Sequence, residues 1–154
     1  MRSEDLDAVL RIEVASFSEP WTREMFETEL IPGVSLALVV WSDADTLLGY
    51  LCGSIIEDEF HISNIAVDPR SRRRGVGRKL LLSALGEASQ HGAKTASLEV
   101  RASNRAAQSL YGTFGFTVLG RRRRYYTEPA EDAIIMWLHS VEAAIAPRTE
   151  GEIA

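Results

Sequence analysis

An apolar, strand-like run from Phe60 to Val67 stops at Asp68-Pro69. An arginine-rich turn follows, and Gly75-Val76-Gly77 then opens a helix that ends near His91, with Gly92 as its stop. This order of strand, basic glycine turn and helix constrains the chain more than any other part of it. The free N–H groups and the positive dipole end of the helix make an anion site. Glycines let the backbone come close to the anion, and arginines add bidentate donors suited to phosphate. The chemistry fits a pyrophosphate without naming the molecule. Two common phosphate motifs are excluded by spacing. A dinucleotide fingerprint needs a third glycine at position 80, which is Leu80, and a P-loop needs Gly-Lys-Ser/Thr where Gly77 is followed by Arg78.

The flanking patterns predict the remaining elements. Ser3 caps a first helix, with Leu6, Val9, Leu10, Val14 and Phe17 at helical spacing. Pro20-Trp21 interrupts it, and Thr22 caps a short second helix that ends before Pro32-Gly33. Ser35 to Trp41 and Leu47 to Ile56 read as a hairpin around Ser42 to Thr46. The helix after Gly75 carries Leu80, Leu81, Ala84, Leu85 and Ala88 on its apolar side. Then come a short strand from Ala96 to Val100 and a helix from Asn104 to Phe114, ended by Gly115. Two strands follow, Thr117 to Tyr126 and Asp132 to His139, joined by a polar loop. Residues 140–154 read as a weak tail of frayed helix.

Charge is unevenly spread. The chain of 154 residues has 17 Lys+Arg and 22 Asp+Glu, a net charge of -5 and a pI near 5.2. Yet positions 70–79 hold six bases and no acid, and Arg121 to Arg124 add four more. The acidic total argues against a general nucleic-acid binder, while the basic clusters argue for some anionic ligand. The second run reads equally as a solvated strand edge. The length suits one domain that buries roughly 68–70% of its unfolded surface without a staple. Cys52 alone forms no internal disulfide and reads as a small buried residue. His61, His91 and His139 are scattered, so each reads as structural or exposed, and no metal is expected. The acidic start and the lack of a long apolar run predict no leader, no membrane partner and a cytoplasmic protein.

The segment Asn64 to Pro69, followed by Arg72-Arg73-Arg74-Gly75-Val76-Gly77, resembles the acetyl-CoA motif of the GNAT superfamily of N-acetyltransferases. Arg72, Gly75 and Gly77 match its Gln/Arg-x-x-Gly-x-Gly/Ala pattern. Leu98 to Asn104, Leu110-Tyr111, Gly115-Phe116, Arg124-Tyr125-Tyr126 and Glu131 to Met136 extend the match. Together these are similar to the ribosomal-protein-alanine N-acetyltransferases and other protein N-terminal acetyltransferases, over roughly residues 1–139. The resemblance implies an α/β (α+β) fold with a mixed, mostly antiparallel central sheet and helices on both faces. It implies one N-acetyltransferase domain at 1–139 and a tail at 140–154. Such folds begin with a full strand, but this chain starts almost at the helix. The first strand is therefore expected to be missing or reduced to the first residues.

The resemblance also implies roles. Backbone groups of Ile65, Ala66 and Val67 hold the pantetheine arm of acetyl-CoA like an added strand, and the Val67 N–H polarises the thioester carbonyl. Arg72, Arg73, Arg74, Gly75, Val76, Gly77 and Arg78 form the pyrophosphate turn. Asn104 binds CoA and caps its helix. Glu99 is the candidate general base; the alternative is a glutamate paired with Arg101 or another arginine. Tyr111 is the candidate proton donor to the departing thiolate and a further CoA contact; the alternative is a packing aromatic. Trp21, Tyr125 and Tyr126 either line a peptide groove or pack in the core.

An α-amine has a pKa of about 7.7–8.0 and a lysine about 10.4, so a single carboxylate base is better matched to a protein N-terminus. The expected reaction is direct acetyl transfer within a ternary complex to a protein or peptide N-terminus, with a ribosomal protein beginning with alanine as one such partner. The competing readings are a small-molecule amine acetyltransferase and a non-catalytic CoA- or RNA-binding module.

Overall fold

The computed structural model describes residues 1–33 and 35–147. A 3-10 turn at Ser3–Asp5 leads into α1 (Leu6–Ser16) and α2 (Arg23–Glu29). Next come β1 (Leu36–Trp41), β2 (Leu47–Ile56), β3 (Glu59–Val67), α3 (Val76–Gln90), β4 (Thr95–Arg101) and α4 (Arg105–Thr113). Strands β5 (Thr117–Thr127) and β6 (Ala130–Leu138) and the short helix α5 (Val141–Ile145) complete the order. One sheet runs β1-β2-β3-β4-β6-β5. Only β3 and β4 pair in parallel. The ammonium of Met1 donates to the carbonyl of Ala37 in β1 at 2.9 Å.

Each face of the sheet has its own core. On one face Leu80, Leu81, Ala84 and Leu85 of α3 pack with Phe60, Leu98, Tyr111 and Val141. Full burial of each leucine is worth roughly 1.5–3 kcal/mol relative to exposure. On the other face Leu6, Val9 and Ile12 of α1 pack with Phe26, Tyr50 and Cys52. Burial pushes the Cys52 thiol up to about 12, with Glu29 and Glu13 adding to the rise.

Helix α1 departs from the expected apolar side. Val14 is 65% exposed, whereas Glu13 is 1% exposed. From Leu6 and Val9 the 3.6-residue period carries position 13 to the core. The carboxylate is tolerated there because it is fully hydrogen-bonded. The cap also differs from the expected Ser3: the Arg2 N–H donates to Asp5 Oδ2 at 2.7 Å.

Strand β3 changes faces partway. Cys52 lies opposite Asn64 and Gly53 opposite Ile62, so Ser63 is an extra residue, a β-bulge. Phe60 and Ile62 face the α3 core, while Ala66 faces the α1 core.

Two chain segments extend further than their patterns suggested. Strand β6 starts at Ala130, and Thr127 and Ala130 are paired, so the expected polar loop is a tight turn at Glu128-Pro129, with a cis bond. The core also continues past residue 139, because Val141 is fully buried and Ser140 caps α5 through a 3.1 Å bond from the Ala143 N–H. The rest of the expected tail, 148–154, lies outside the described residues. None of the described helices is long and apolar enough to cross a membrane.

Candidate active site

Strands β3 and β4 pair only from Glu59 opposite Thr95 to Ile62 opposite Leu98. Beyond that point the two strands diverge, and a cleft of about 520 Å³ opens between their ends. Its walls include Glu13, Trp21, Glu99, Asn104, Tyr111 and Tyr126. Lining residues come from both faces of the sheet, since Leu98 and Tyr111 belong to the α3 core while Trp21 packs against the α1 core. A larger groove of about 720 Å³ runs along the other side of α1, past Asp7, Arg11, Trp41 and Asp68. It holds none of the residues expected to act, so the cleft is the candidate site.

Divergence leaves a backbone edge open. Ile65, Ala66 and Val67 pair with Leu51, Tyr50 and Gly49 of β2 on one side only. Among the described residues their opposite edge has no strand partner, and it faces the gap, where a linear amide-bearing chain can pair with it. Downstream, Arg73 and Gly75 both adopt left-handed backbone, with φ of 62° and 79°. Gly75 is the N-cap of α3 and offers no side-chain cap, so the first N–H groups of the helix are left for another acceptor. Val76 is buried, so only its backbone is available to an anion.

The arginines divide between two tasks. Arg72 donates to the Val67 carbonyl and to Ser16 Oγ, both at 3.3 Å, tying the end of β3 to α1. Arg78 donates to Thr113 Oγ1 at 3.3 Å and lies 5.1 Å over the Phe114 ring. Arg73 and Arg74 are exposed beside the turn. Gly77 has a packing reason beyond its N–H, because a Cβ there would sit 3.1 Å from Leu110 Cδ2.

Glu99 lies on β4 with its side chain 17% exposed, and its Oε2 is 2.8 Å from Nε2 of His61 on β3. It does not pair with Arg101. That guanidinium contacts Glu131 at 3.3 Å, the Pro129 carbonyl at 3.1 Å, the Glu128 carbonyl at 3.3 Å and Ser18 Oγ at 3.4 Å. It also stacks 4.3 Å over the Tyr126 ring. Tyr111 both lines the cleft and packs 5.9 Å from Phe116. Burial raises its phenol pKa, with a smaller push from Tyr126, so the phenol keeps its proton at neutral pH. Asn104 caps α4, its Oδ1 accepting from the Ala107 N–H at 3.1 Å.

Trp21 lines the cleft and stacks 5.1 Å from Phe26. Tyr126 lines the cleft too, and burial pushes its phenol up to about 12. Tyr125 is not brought in. It is 47% exposed and meets Tyr126 edge-on outside the lining residues. The run Arg121 to Arg124 lies exposed along β5, with Arg121 2.9 Å from Asp132 and Arg122 5.8 Å over the Tyr125 ring.

Three polar residues of the site escaped the sequence reading. Glu13 Oε1 accepts from the Trp21 N–H at 3.0 Å. Its Oε2 accepts from Asn64 Nδ2 at 2.9 Å and from the Tyr50 hydroxyl. The position of Glu13 on the 3.6-residue period was the available signal. His61 and Arg101 gave none, because their roles depend on which strands and loops become neighbours. Ser18 bonds the Glu128 carbonyl and Thr127 bonds Glu19, so the α1–α2 loop and the β5–β6 turn meet over the cleft.

Residues 6–116 match the model of the acetyltransferase (GNAT) family. A Bacillus subtilis (strain 168) protein, provisionally named as a ribosomal protein bS18 alanine N-acetyltransferase, is 42% identical over 139 residues, covering 90% of this chain and 91% of its own. The ribosomal protein bS18 alanine N-acetyltransferase of Escherichia coli (strain K12) is 36% identical over 140 residues, with 90% and 93% covered. The crystal structure of the ribosomal-protein-S18-alanine N-acetyltransferase from Escherichia coli superposes with a TM-score of 0.82 at 34% identity. That match covers 100% of this chain and 96% of the other.

Proposed function

The chain belongs to the GNAT family of acetyltransferases, and from that membership we propose that its cleft moves the acetyl group of acetyl-CoA to the N-terminal α-amine of a protein. The proposed acceptor is a ribosomal protein that begins with alanine, as the names of its relatives suggest. One observation carries the mechanism. The gap between β3 and β4 sets an open backbone edge, a carboxylate and a buried phenol around one space.

Acetyl-CoA supplies the activated thioester. The open edge of Ile65 to Val67 suits its pantetheine amides, and the Val67 N–H polarises the thioester carbonyl. The left-handed turn, the first N–H groups of α3, and Arg73 and Arg74 suit the pyrophosphate. Asn104 contacts CoA beside its cap. Trp21 and Tyr126 flank the acceptor. Glu99 takes a proton from the ammonium, which frees the lone pair for direct attack in a ternary complex. Tyr111 gives its phenol proton to the departing thiolate. Of the two protons an ammonium loses on becoming an amide, the one taken by Glu99 passes to solvent and the other restores the Tyr111 phenol, which has given its own to CoA.

CoA release measured against a peptide panel tests the reading. Peptides with a free α-amine turn over, and blocking that amine while leaving a lysine free abolishes turnover. Undiminished rates on the blocked peptides, or a clear preference for small free amines, would overturn it.

A further inference from the structure

We infer that His61 is a positioning residue that orients Glu99 toward the acceptor amine. The inference rests on Glu99 acting as the base in the mechanism above and adds a residue that mechanism does not contain. A glutamate on a strand that ends at a cleft has several rotamers open to it. Here His61 sits on the neighbouring parallel strand, directly opposite Ser97 and so one pleat repeat from Glu99. Its Nε2 meets Oε2 of Glu99 at 2.8 Å. Holding Oε2 toward His61 leaves Oε1 for the cleft, which Glu99 lines and His61 does not.

The surrounding charged groups are committed elsewhere. On β3, Glu59 accepts from Ser97 Oγ at 2.9 Å. On β4, Arg101 holds Glu131 of β6 and stacks on Tyr126 of β5. On α1, Glu13 is bound to Trp21, Tyr50 and Asn64. Among the described residues, His61 is the hydrogen-bond partner of the Glu99 carboxylate. The ring is also 34% exposed, so it borders solvent rather than filling a core.

His61→Leu and His61→Gln test this, with Glu99→Gln measured beside them and folding checked by thermal melting. The leucine fills the space without a donor, whereas the glutamine keeps a donor amide. His61→Leu is expected to lower kcat by about 10–100-fold, because a misdirected base loses much of its contribution. KM for acetyl-CoA stays within about twofold. His61→Gln recovers most of the rate. Wild-type kinetics in a folded His61→Leu, with Glu99→Gln crippled, would overturn the His61 role alone. So would a rate loss that glutamine does not repair. Full activity in Glu99→Gln would instead overturn the base assignment, and the His61 role with it.

Discussion

Asn64 of β3 donates to the Glu13 carboxylate of α1 across 2.9 Å, joining two buried residues 51 positions apart at the wall of the cleft. The same carboxylate holds the Trp21 N–H and the Tyr50 hydroxyl. Replacing Glu13 by alanine strands three donors, each costing about 1–3 kcal/mol if left unpaired. A total near 3 kcal/mol is expected after local rearrangement, seen in urea unfolding as a lower midpoint and in melting as a Tm drop of roughly 6–12 °C. The KM for the acceptor rises as well, because Trp21 lies in the loop that Glu13 anchors.

Tyr111→Phe removes the phenol proton and keeps the ring that packs on Phe116. Its kcat is expected to fall by about 10²–10³-fold, the range of a lost general acid. Stability changes by less than about 1 kcal/mol. Stopped-assay kinetics paired with thermal melts check both parts. A large rate loss in a protein of native stability supports the donor role, and an active phenylalanine variant removes it.

The arginine turn can be probed through two backbone positions. Gly75→Ala forces a Cβ into left-handed backbone at a cost of about 1–2 kcal/mol, although nothing crowds the added atom. Arg73→Gly relieves the same kind of strain at a residue that already has positive φ. Gly75→Ala should raise KM for acetyl-CoA and lower Tm. Arg73→Gly should raise Tm slightly while still raising KM for acetyl-CoA, because a phosphate donor is lost. Moving from low to high ionic strength should shrink the Arg73→Gly effect.

Arg101→Lys keeps the charge and loses the planar fork. Its contacts reach Ser18 in the α1–α2 loop and Glu128 and Pro129 in the β5–β6 turn. A lysine cannot span them or stack as well on Tyr126. KM for the peptide should rise by about tenfold, with KM for acetyl-CoA within about twofold, in initial-rate measurements that vary each substrate in turn.

Alkaline stability follows from the buried phenols. Tyr50, Tyr111 and Tyr126 all have folded pKa values above the ordinary tyrosine value, chiefly through burial. The folded state therefore favours their neutral forms. That stability is complete below about pH 10, where the unfolded phenols are also neutral. It is lost as pH rises from about 10 toward the folded values, which for Tyr126 is about 12. Unfolding free energy measured in this window should fall with pH. Tyr126→Phe should flatten the fall.

Much of the fold was readable in the order of patterns. Leu80, Leu81, Ala84, Leu85 and Ala88 all reach the core as the spacing of α3 predicts, because their burial follows from helix geometry alone. The cleft was readable only through the family resemblance. Glu99 could be placed on a strand face from alternation, but its partner His61 comes from another strand. No local rule says that β3 and β4 will pair or where they will part. Val14 and Glu13 exchanged expected places because apolarity was weighed over period, and a fully hydrogen-bonded carboxylate can occupy a core position. Tyr125 and Tyr126 look alike in sequence, yet only one reaches the cleft. The register shift in β5 that separates them depends on pairing with β6.

The divergence of β3 and β4 gives the cleft walls drawn from both faces of the sheet. Donor and acceptor can therefore arrive from opposite faces and meet in the middle without crossing paths. Neither must leave before the other enters. A site that holds both at once has no need to store the acetyl group on the chain between two visits.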